Sequence, residues 1–312
     1  MKICVVGNGA FGKKHLAALK NIDEAEVVCL VGARAEGTKK VAEEFDVPRW
    51  TLSLEDALKM DIDAVIIASP TQIHAEQAIT AMNSGKHIMV EIPMADTLKD
   101  AQRIVNTQKK MGVVAMAGHT RRFNPSHQYI HNKIKAGELN IQQMDVQTYF
   151  FRRTNTNALG EPRSWTDHLL WHHACHTVDL FAYQTGEEIV EVQGMQGPIH
   201  KELGIALDMS IGLKTKSGKL CTLSLSFNND GPLGTFFRYI CDNATYIARY
   251  DDLFTGNEEQ VDVSNVAISM NGIELQDREF ISAIKEGREP NASVQQALSA
   301  MKILDLLERE MK

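Results

Sequence analysis

The stretch "KICVVGNGAFGKKHLAAL", residues 2–19, decides the fold of the first part of the chain. A short apolar run leads directly into three glycines with the spacing Gly-x-Gly-x-x-Gly, and a sequence with helical periodicity follows. A bare glycine motif is weak evidence, but strand, glycine turn and helix in this order are the context that a dinucleotide-binding site requires. The first glycine permits a tight turn, the second lets a pyrophosphate approach, and the third lets the helix close on the strand. We therefore expect a cofactor to contact Gly7, Gly9, Ala10, Phe11 and Gly12.

Strand-like and helix-like segments continue to alternate up to residue 120. Apolar runs at 25–31, 63–69, 88–93 and 113–118 are separated by segments with helical periodicity. This alternation predicts a doubly wound parallel sheet, a Rossmann domain over residues 1–120. Ligands of such sheets bind at the carboxyl ends of the strands. We expect further cofactor contacts from residues at those ends, namely Ser69, Thr71, His74, Glu91 and Pro93.

The residues after the second strand bear on the choice of cofactor. NAD-binding proteins usually carry an acidic residue here to bind the ribose hydroxyls, but this chain has Gly32 and Ala33, followed by Arg34. No carboxylate would repel a 2′-phosphate, and the guanidinium of Arg34 can pair with one. The sequence therefore favours NADP. NAD remains possible, more weakly, if Arg34 is a solvated residue at the start of a helix.

Residues 121–312 have a different pattern, which predicts a substrate-binding and oligomerisation domain of the α+β class. The segment "IGLKTKSGKLCTLSLSFNN" indicates a hairpin that turns at Ser217-Gly218. Along residues 221–227, apolar side chains alternate with Thr and Ser, as expected for a strand with one buried face. We expect a largely antiparallel open sheet whose other face joins two copies in a homodimer. Two amphipathic helices close the chain.

Composition and charge exclude several classes of protein. The 312 residues carry a formal net charge of −7, which argues against binding of nucleic acid through its phosphates. The five cysteines are scattered without a C-x-x-C pair, so neither a disulfide framework nor a cysteine zinc site is indicated. The sequence has no apolar run long enough to span a membrane and no apparent signal peptide. We expect a cytoplasmic protein.

Cationic side chains are concentrated in one part of this acidic chain. Residues 119–176 contain seven of the eleven histidines and five arginines. Such a concentration predicts an anionic ligand, because charge-assisted hydrogen bonds from arginine forks bind carboxylates well. The expected partner is a small anion. The five arginines are Arg121, Arg122, Arg152, Arg153 and Arg163.

Four histidines lie in "WTDHLLWHHACHTVD", residues 165–179. If the segment is helical, His168, His172 and His176 share one face. Two of them could bind zinc, but the third lies too far along the axis and no further ligand is evident, so we expect no metal. Hydride transfer to a nicotinamide needs only a base for the hydroxyl proton, and histidine suits this role near neutral pH.

The chain resembles the Gfo/Idh/MocA oxidoreductase family over its whole length. The resemblance rests on the glycine motif, "SPTQIHAEQAITAMNSGKHIMVEIP", "GHTRRFNP", the histidine segment and the strand-rich second half. It implies an NAD(P)-dependent dehydrogenase. Three segments, "GHTRRFNPSHQYIHNKI", "RSWTDHLLWHHACHTVDLFAY" and "LSFNNDGPLGTFFRYICDN", are similar to members that oxidise the cyclic hemiacetal of a carboxylated muconate semialdehyde with NADP. This similarity implies that the anionic partner is a small dicarboxylate.

The resemblance also implies roles for individual residues. The catalytic histidine of the family corresponds to His176, and the aspartate that precedes it by four residues corresponds to His172. Where most of the family has Glu-Lys-Pro, this chain has Ile92 in place of the lysine that meets substrate and nicotinamide. We expect the substrate to contact His119, Arg122, Arg153, Arg163, Trp165 and His173.

Two other functions are compatible with the sequence. One is a sugar or inositol dehydrogenase of the same family, against which the missing lysine and the many arginines argue. The other is a regulator that senses NADP without turnover, against which the two histidines in a basic region argue.

Overall fold

The computed structural model describes residues 1–156, 162–163, 165–266 and 271–311. It contains two compact units. The first comprises Met1–Thr120 with Ile273–Leu298, and the second comprises Arg121–Gly272 with Ser299–Lys312.

The first unit is built on a six-stranded parallel sheet with the order β3-β2-β1-β4-β5-β6. Its strands are β1 (Lys2–Val6), β2 (Glu26–Val31), β3 (Trp50–Thr51), β4 (Ala64–Ile67), β5 (His87–Val90) and β6 (Ala115–Ala117). The helices between them are α1 (Ala10–Leu19), α2 (Ala35–Glu44), α3 (Leu54–Leu58), α4 (His74–Asn83) and α5 (Leu98–Met111). The order of the strands reverses between β1 and β4, which creates the crevice where ligands bind in such sheets.

Local sequence explains these elements. The central strands are buried on both faces, and β4 reads AVII without a polar residue, as expected for a parallel sheet covered by helices. Helix α5 begins at a side-chain cap, since Thr97 accepts a hydrogen bond from the backbone N–H of Asp100. It ends at Gly112, whose φ of 65° is left-handed and suits a glycine. The prediction of a doubly wound parallel sheet is confirmed.

The second unit has an eight-stranded sheet in the described part of the chain, with the order β14-β13-β12-β11-β7-β10-β9-β8. Its first elements along the chain are α6 (Pro125–Lys135), β7 (Ile141–Tyr149), a π-helical turn (Leu169–Ala174) and α7 (Cys175–Thr185). The remaining strands are β8 (Ile189–Gln196), β9 (Asp208–Thr215), β10 (Leu220–Ser226), β11 (Gly234–Cys241), β12 (Thr245–Arg249), β13 (Asp252–Thr255) and β14 (Gln260–Val261). Two further helices are α8 (Ile273–Glu286) and α9 (Val294–Met311).

The predicted hairpin and its alternation are confirmed. Strands β9 and β10 pair antiparallel around the turn at Gly218, whose φ is 97°. The side chains of Cys221, Leu223, Leu225 and Phe227 are at most 2% exposed, whereas those between them face outward or lie half-buried. The sheet is antiparallel except between β7 and β10, which are parallel. One face therefore forms the core of the unit.

The division of the chain differs from the predicted second domain of 121–312 in one respect. Helix α8 belongs with the first unit, and α9 belongs with it up to Leu298. Helix α8 packs against α1, and the buried side chains of His15 and Asp277 join the two. Amphipathic periodicity predicts a helix but not its packing partner, which explains the difference. None of the helices in the described ranges is both long and apolar enough to cross a membrane.

Candidate active site

The glycine turn after β1 has the geometry that a pyrophosphate needs. A Cβ atom on Gly7, whose φ is 112°, would lie 2.3 Å from the carbonyl oxygen of Ala68, and one on Gly12 would lie 1.8 Å from that of Gly7. These two glycines are required by the fold itself. A Cβ on Gly9 would meet nothing within 4 Å, so this glycine leaves space above the start of α1. Ala10 and Phe11 are exposed at that helix start, where free N–H groups attract an anion.

The loops that follow the other strands lie at the same edge of the sheet. His74 joins two of them, because its ring nitrogens lie 2.7 Å from the carbonyl oxygen of Ser69 and 3.0 Å from that of Pro93. Burial lowers the pKa of His74, and the hydrogen bonds to the two carbonyl oxygens act in the opposite direction. Thr71 is buried and begins a short 3-10 turn, Thr71–Ile73, that directly precedes His74. These residues form the rim of the crevice at the carboxyl ends of β4 and β5.

Glu91 belongs to a buried network of charged and polar side chains. Nε2 of His15 lies 3.0 Å from a carboxylate oxygen of Glu91, and Nδ1 lies 2.9 Å from Asp277. Gln276 donates to the same Glu91 oxygen at 3.3 Å. Burial by itself lowers the pKa of His15, but the charges of and hydrogen bonds to Asp277 and Glu91 outweigh it and raise the pKa to about 10. The sequence analysis did not select either the histidine or the aspartate: Asp277 lies far from the motifs, and His15 lies in the helix after the glycine turn without a motif of its own.

Arg34 lies where a ribose-binding residue is expected. It precedes α2 directly after β2, with an extended backbone and an exposed side chain. Its carbonyl oxygen accepts from the hydroxyl and the N–H of Thr38. Gly32 is required beside it, since a Cβ there would lie 2.0 Å from the Thr38 hydroxyl. The position can present a guanidinium to a ligand without disturbing the turn.

In the second unit, one buried carboxylate gathers several of the predicted substrate residues. Asp167 accepts hydrogen bonds from Nη1 of Arg152 and, at 3.1 Å, from Nη1 of Arg163. Its other oxygen lies 2.9 Å from Nε2 of His173 and 4.0 Å from Nδ1 of His172. We call these five residues the Asp167 cluster. Asp167 was not selected from the sequence, because an acidic residue among histidines carries no motif of its own.

The Asp167 cluster carries an excess of positive charge. Burial, followed by the charges of Arg152, Arg163 and Arg121, lowers the pKa of His173 to about 3, so this imidazole is neutral. Burial and the neighbouring Arg163 lower the pKa of Arg152 to about 10. Among the residues that the structure describes, two guanidiniums thus face one carboxylate, and a third cation lies within electrostatic range. Such an arrangement is suited to an anion.

Arg121 and Arg122 follow each other but have different surroundings. Arg122 forms a bidentate ion pair with Asp179, with distances of 2.8 and 2.6 Å, and both side chains are buried. Arg121 is 8% exposed and lies 4.7 Å from the ring of Tyr250, and within the described ranges it has no ion pair. The sequence analysis chose Arg122 as a substrate contact. The structure shows that its guanidinium already binds a carboxylate of the protein, and the assignment stays a prediction.

The remaining predicted residues have distinct positions. Trp165 lies between the guanidinium of Arg163, at 5.1 Å from its ring, and the ring of His172, at 4.8 Å. Arg153 is exposed, donates to the carbonyl oxygen of Phe227 at 3.0 Å and stacks on Phe151. His119 is buried after β6 in the first unit.

The histidine segment is not one regular helix. His168 has an extended backbone and caps the π-helical turn, His172 lies within that turn, and His176 lies in the first turn of α7. The spacing predicted that the three share one face of an α-helix, and this prediction is wrong because the segment is not a regular α-helix. A π-turn widens the helix locally and is frequent at functional sites. No cluster of three potential metal ligands occurs in the part of the chain that the structure describes.

Comparisons with known proteins agree with this architecture. Residues 1–119 match the oxidoreductase family with an NAD-binding Rossmann fold, and residues 125–267 match the C-terminal region of bacterial oxidoreductases. A 4-carboxy-2-hydroxymuconate-6-semialdehyde dehydrogenase of Sphingobium sp. (strain NBRC 103272 / SYK-6) is 64% identical over 313 residues, covering 100% of this chain and 99% of that protein. The chain belongs to the Gfo/Idh/MocA oxidoreductase family. It is an NAD(P)-dependent dehydrogenase.

More distant relatives of this dehydrogenase share the fold. A scyllo-inositol 2-dehydrogenase (NAD(+)) of Bacillus subtilis (strain 168) is 27% identical over 199 residues, covering 62% of this chain and 56% of that protein. The solved structure of levoglucosan dehydrogenase with NADH and levoglucosan has a TM-score of 0.89 at 18% identity, covering 99% of this chain and 96% of that one. The likeness confirms the predicted fold class of a Rossmann domain with a largely antiparallel second sheet.

Two glycine substitutions should separate folding from cofactor binding. Gly12→Ala places a Cβ 1.8 Å from a backbone oxygen, so we expect loss of stability or of soluble protein. Gly9→Ala meets no protein atom within 4 Å, so the protein should fold normally and lose cofactor affinity by about 10-fold or more because the methyl group occupies the ligand's space. Thermal unfolding and fluorescence titration with the reduced cofactor measure the two effects. Unchanged cofactor affinity in a folded Gly9→Ala protein would contradict the assignment of this turn.

The buried His15 should make stability depend on alkaline pH. Its pKa of about 10 in the folded protein exceeds the ordinary value of 6.5, so its contribution is complete below about pH 6.5 and is lost as pH rises through 10. The slope is at most about 1.4 kcal/mol per pH unit. Denaturant unfolding of the native protein and His15→Gln between pH 6 and pH 10 measures it. The difference in unfolding free energy should shrink toward high pH, and a constant difference would disprove the charged network.

Proposed function

We propose that this dehydrogenase oxidises the cyclic hemiacetal of 4-carboxy-2-hydroxymuconate-6-semialdehyde to 2-pyrone-4,6-dicarboxylate, with NADP as acceptor. The reaction belongs to the 4,5-cleavage pathway of protocatechuate, which degrades lignin-derived aromatic compounds. The activity that names the Sphingobium relative supports this proposal, since the two chains align from end to end at 64% identity. The observation that carries it is the excess positive charge of the Asp167 cluster.

The substrate explains why such a cluster exists. A dicarboxylate brings two negative charges, and each charge-assisted hydrogen bond to it contributes about 1.5–3 kcal/mol. Two such contacts supply a large part of the roughly 8 kcal/mol of micromolar binding. Arg152 and Arg163 each use Nη1 on Asp167 and have further N–H groups for a ligand. A neutral polyol gains little from these half-buried guanidiniums, and Ile92 replaces the lysine that sugar dehydrogenases of the family use.

The residues proposed for the site divide by role. His176 removes the hydroxyl proton of the hemiacetal. His172, four residues earlier in the sequence, assists it. Carboxylate and ring contacts come from Arg163, Trp165 and His173 in or next to the Asp167 cluster. His119, Arg122 and Arg153 remain further candidates for substrate contact.

The cofactor is proposed to bind at the carboxyl edge of the first sheet. The open space at Gly9 and the exposed N-terminus of α1 fit a pyrophosphate, and Arg34 fits a 2′-phosphate. When bound, the nicotinamide accepts the hydride from the hemiacetal carbon. Ser69, Thr71, His74, Glu91 and Pro93 are the proposed contacts beside it.

We also propose a homodimer formed through the outer face of the second sheet. That face carries the half-buried rings of Tyr149 and Phe236 together with exposed Leu220. Short polar side chains such as Thr222 separate them, which leaves a flat surface suited to a second copy. The cytoplasm is the expected location.

The function is tested by following NADPH absorbance with the freshly formed ring-cleavage product of protocatechuate as substrate. We expect turnover with the native enzyme, and we expect His176→Asn to lower kcat by about 100-fold or more, because a general base typically contributes that much. Cofactor affinity of the variant, measured by fluorescence, should be unchanged. Activity on polyols with NAD and none on the dicarboxylate would replace this function with that of an inositol dehydrogenase. Tight cofactor binding without any turnover would indicate a regulator.

The preference for NADP is tested at Arg34. We expect Arg34→Ala to raise the KM for NADP by about 10–100-fold, which corresponds to the loss of one or two charge-assisted hydrogen bonds. The KM for NAD should change by less than about twofold, since NAD has no 2′-phosphate. An equal effect on both cofactors would mean that Arg34 shapes the turn and does not select the phosphate.

A further inference from the structure

The ring of His172 makes a hydrogen bond that limits what it can do in catalysis. The backbone N–H of His168 donates to Nδ1 of His172 at 3.0 Å. The main chains of the two residues are also hydrogen-bonded, because the N–H of His172 donates to the carbonyl oxygen of His168 at 3.0 Å. Side chain and backbone of His172 thus both bind His168, and the ring orientation is fixed by the π-helical turn.

This contact determines where the ring carries its proton. An imidazole nitrogen that accepts a backbone N–H cannot carry a hydrogen of its own, so the proton of the neutral ring is on Nε2. His168 behaves in the same way, since its Nδ1 accepts the N–H of Leu170 at 3.1 Å. The two histidines satisfy N–H groups at the start of the turn that have no partner within the helix.

The neighbouring carboxylate does not reverse this arrangement. In a catalytic Asp-His pair, the carboxylate would accept a hydrogen from Nδ1, which leaves Nε2 as a base. Here Asp167 lies 4.0 Å from Nδ1 of His172, and the same Asp167 oxygen lies 2.9 Å from Nε2 of His173. His173 is neutral, so its Nε2–H donates to Asp167. Asp167 therefore orients the arginines and His173, and the backbone orients His172.

We propose that His172 acts on the substrate as a hydrogen-bond donor through Nε2–H and that His176 alone removes the proton. This inference rests on the proposed function. The aspartate that the family has at this position is an acceptor when ionised, so its replacement by His172 inverts the hydrogen bond offered to the substrate. The ring of Trp165, 4.8 Å away and inclined by 32°, packs against the imidazole and helps to hold it.

His172 keeps the same protonation state while the hemiacetal is oxidised. The hemiacetal O–H bond breaks and its proton passes to His176, the hydride leaves carbon for the cofactor, and the C=O bond of the lactone forms. Negative charge develops on the oxygen while the proton leaves. A fixed N–H directed at that oxygen stabilises the charge when it is largest.

Two substitutions of the same size distinguish a donor from an acceptor. Gln at position 172 retains an N–H near the place of Nε2, whereas Glu offers only acceptor oxygens there. We expect His172→Gln to keep kcat within about 10-fold of the native enzyme, and His172→Glu to lower it by about 100-fold or more. The acidic limb of the kcat/KM profile, assigned to His176, should persist in His172→Gln. Loss of that limb, or a Glu variant at least as active as the Gln variant, would overturn the proposal.

A second measurement does not depend on turnover. Long-range proton–nitrogen NMR of the native protein with ¹⁵N-labelled histidine distinguishes the two neutral tautomers, and the signals of His172 are those missing from His172→Gln. We expect the Nε2–H pattern, and the Nδ1–H pattern would disprove the proposal. Failure of the native enzyme to oxidise the hemiacetal contradicts the proposed function, whereas the Nδ1–H pattern in a fully active enzyme contradicts only the role of His172.

Discussion

The buried carboxylate of Asp167 is the interaction on which the site of the second unit depends. It binds Arg152 and Arg163, which precede the π-helical turn, and His173, which lies within it. Without this negative charge, two half-buried guanidiniums would lie close together at an electrostatic cost. With it, each guanidinium has one N–H group on the carboxylate, and a net positive charge remains on the Asp167 cluster. One short side chain thus holds three basic side chains of the region together.

A comparable constraint operates in the first unit. The imidazolium of His15 lies between Asp277 and Glu91, so a residue of α8, distant in sequence, fixes the carboxylate at the end of β5. Gly118 is required next to it, because a Cβ there would lie 2.7 Å from a Glu91 oxygen. The crevice at the carboxyl edge of the sheet is therefore supported by buried charges beneath its rim.

The fold could largely be predicted from the sequence. Alternating strands and helices, the Gly-x-Gly-x-x-Gly turn and the period-two pattern of β10 all describe short-range physics, and each is confirmed. The packing partner of α8 could not be predicted, because an amphipathic helix shows that one face is buried and not against what. The spacing of the histidines predicts a shared face only if the segment is α-helical. The π-helical turn that starts after His168 changes their relative directions.

By itself, the sequence determined the class of the protein, the place of its cofactor turn and the region rich in cationic side chains. These properties depend on local backbone conformation and on residue type. Only the tertiary structure decided which cations are already paired. Arg122 is neutralised by Asp179, 57 residues later in the chain, whereas the guanidinium of its neighbour Arg121 lies over the ring of Tyr250, and no local pattern distinguishes the two. The physical reason is that charge pairing depends on distances across the fold, which sequence spacing does not contain.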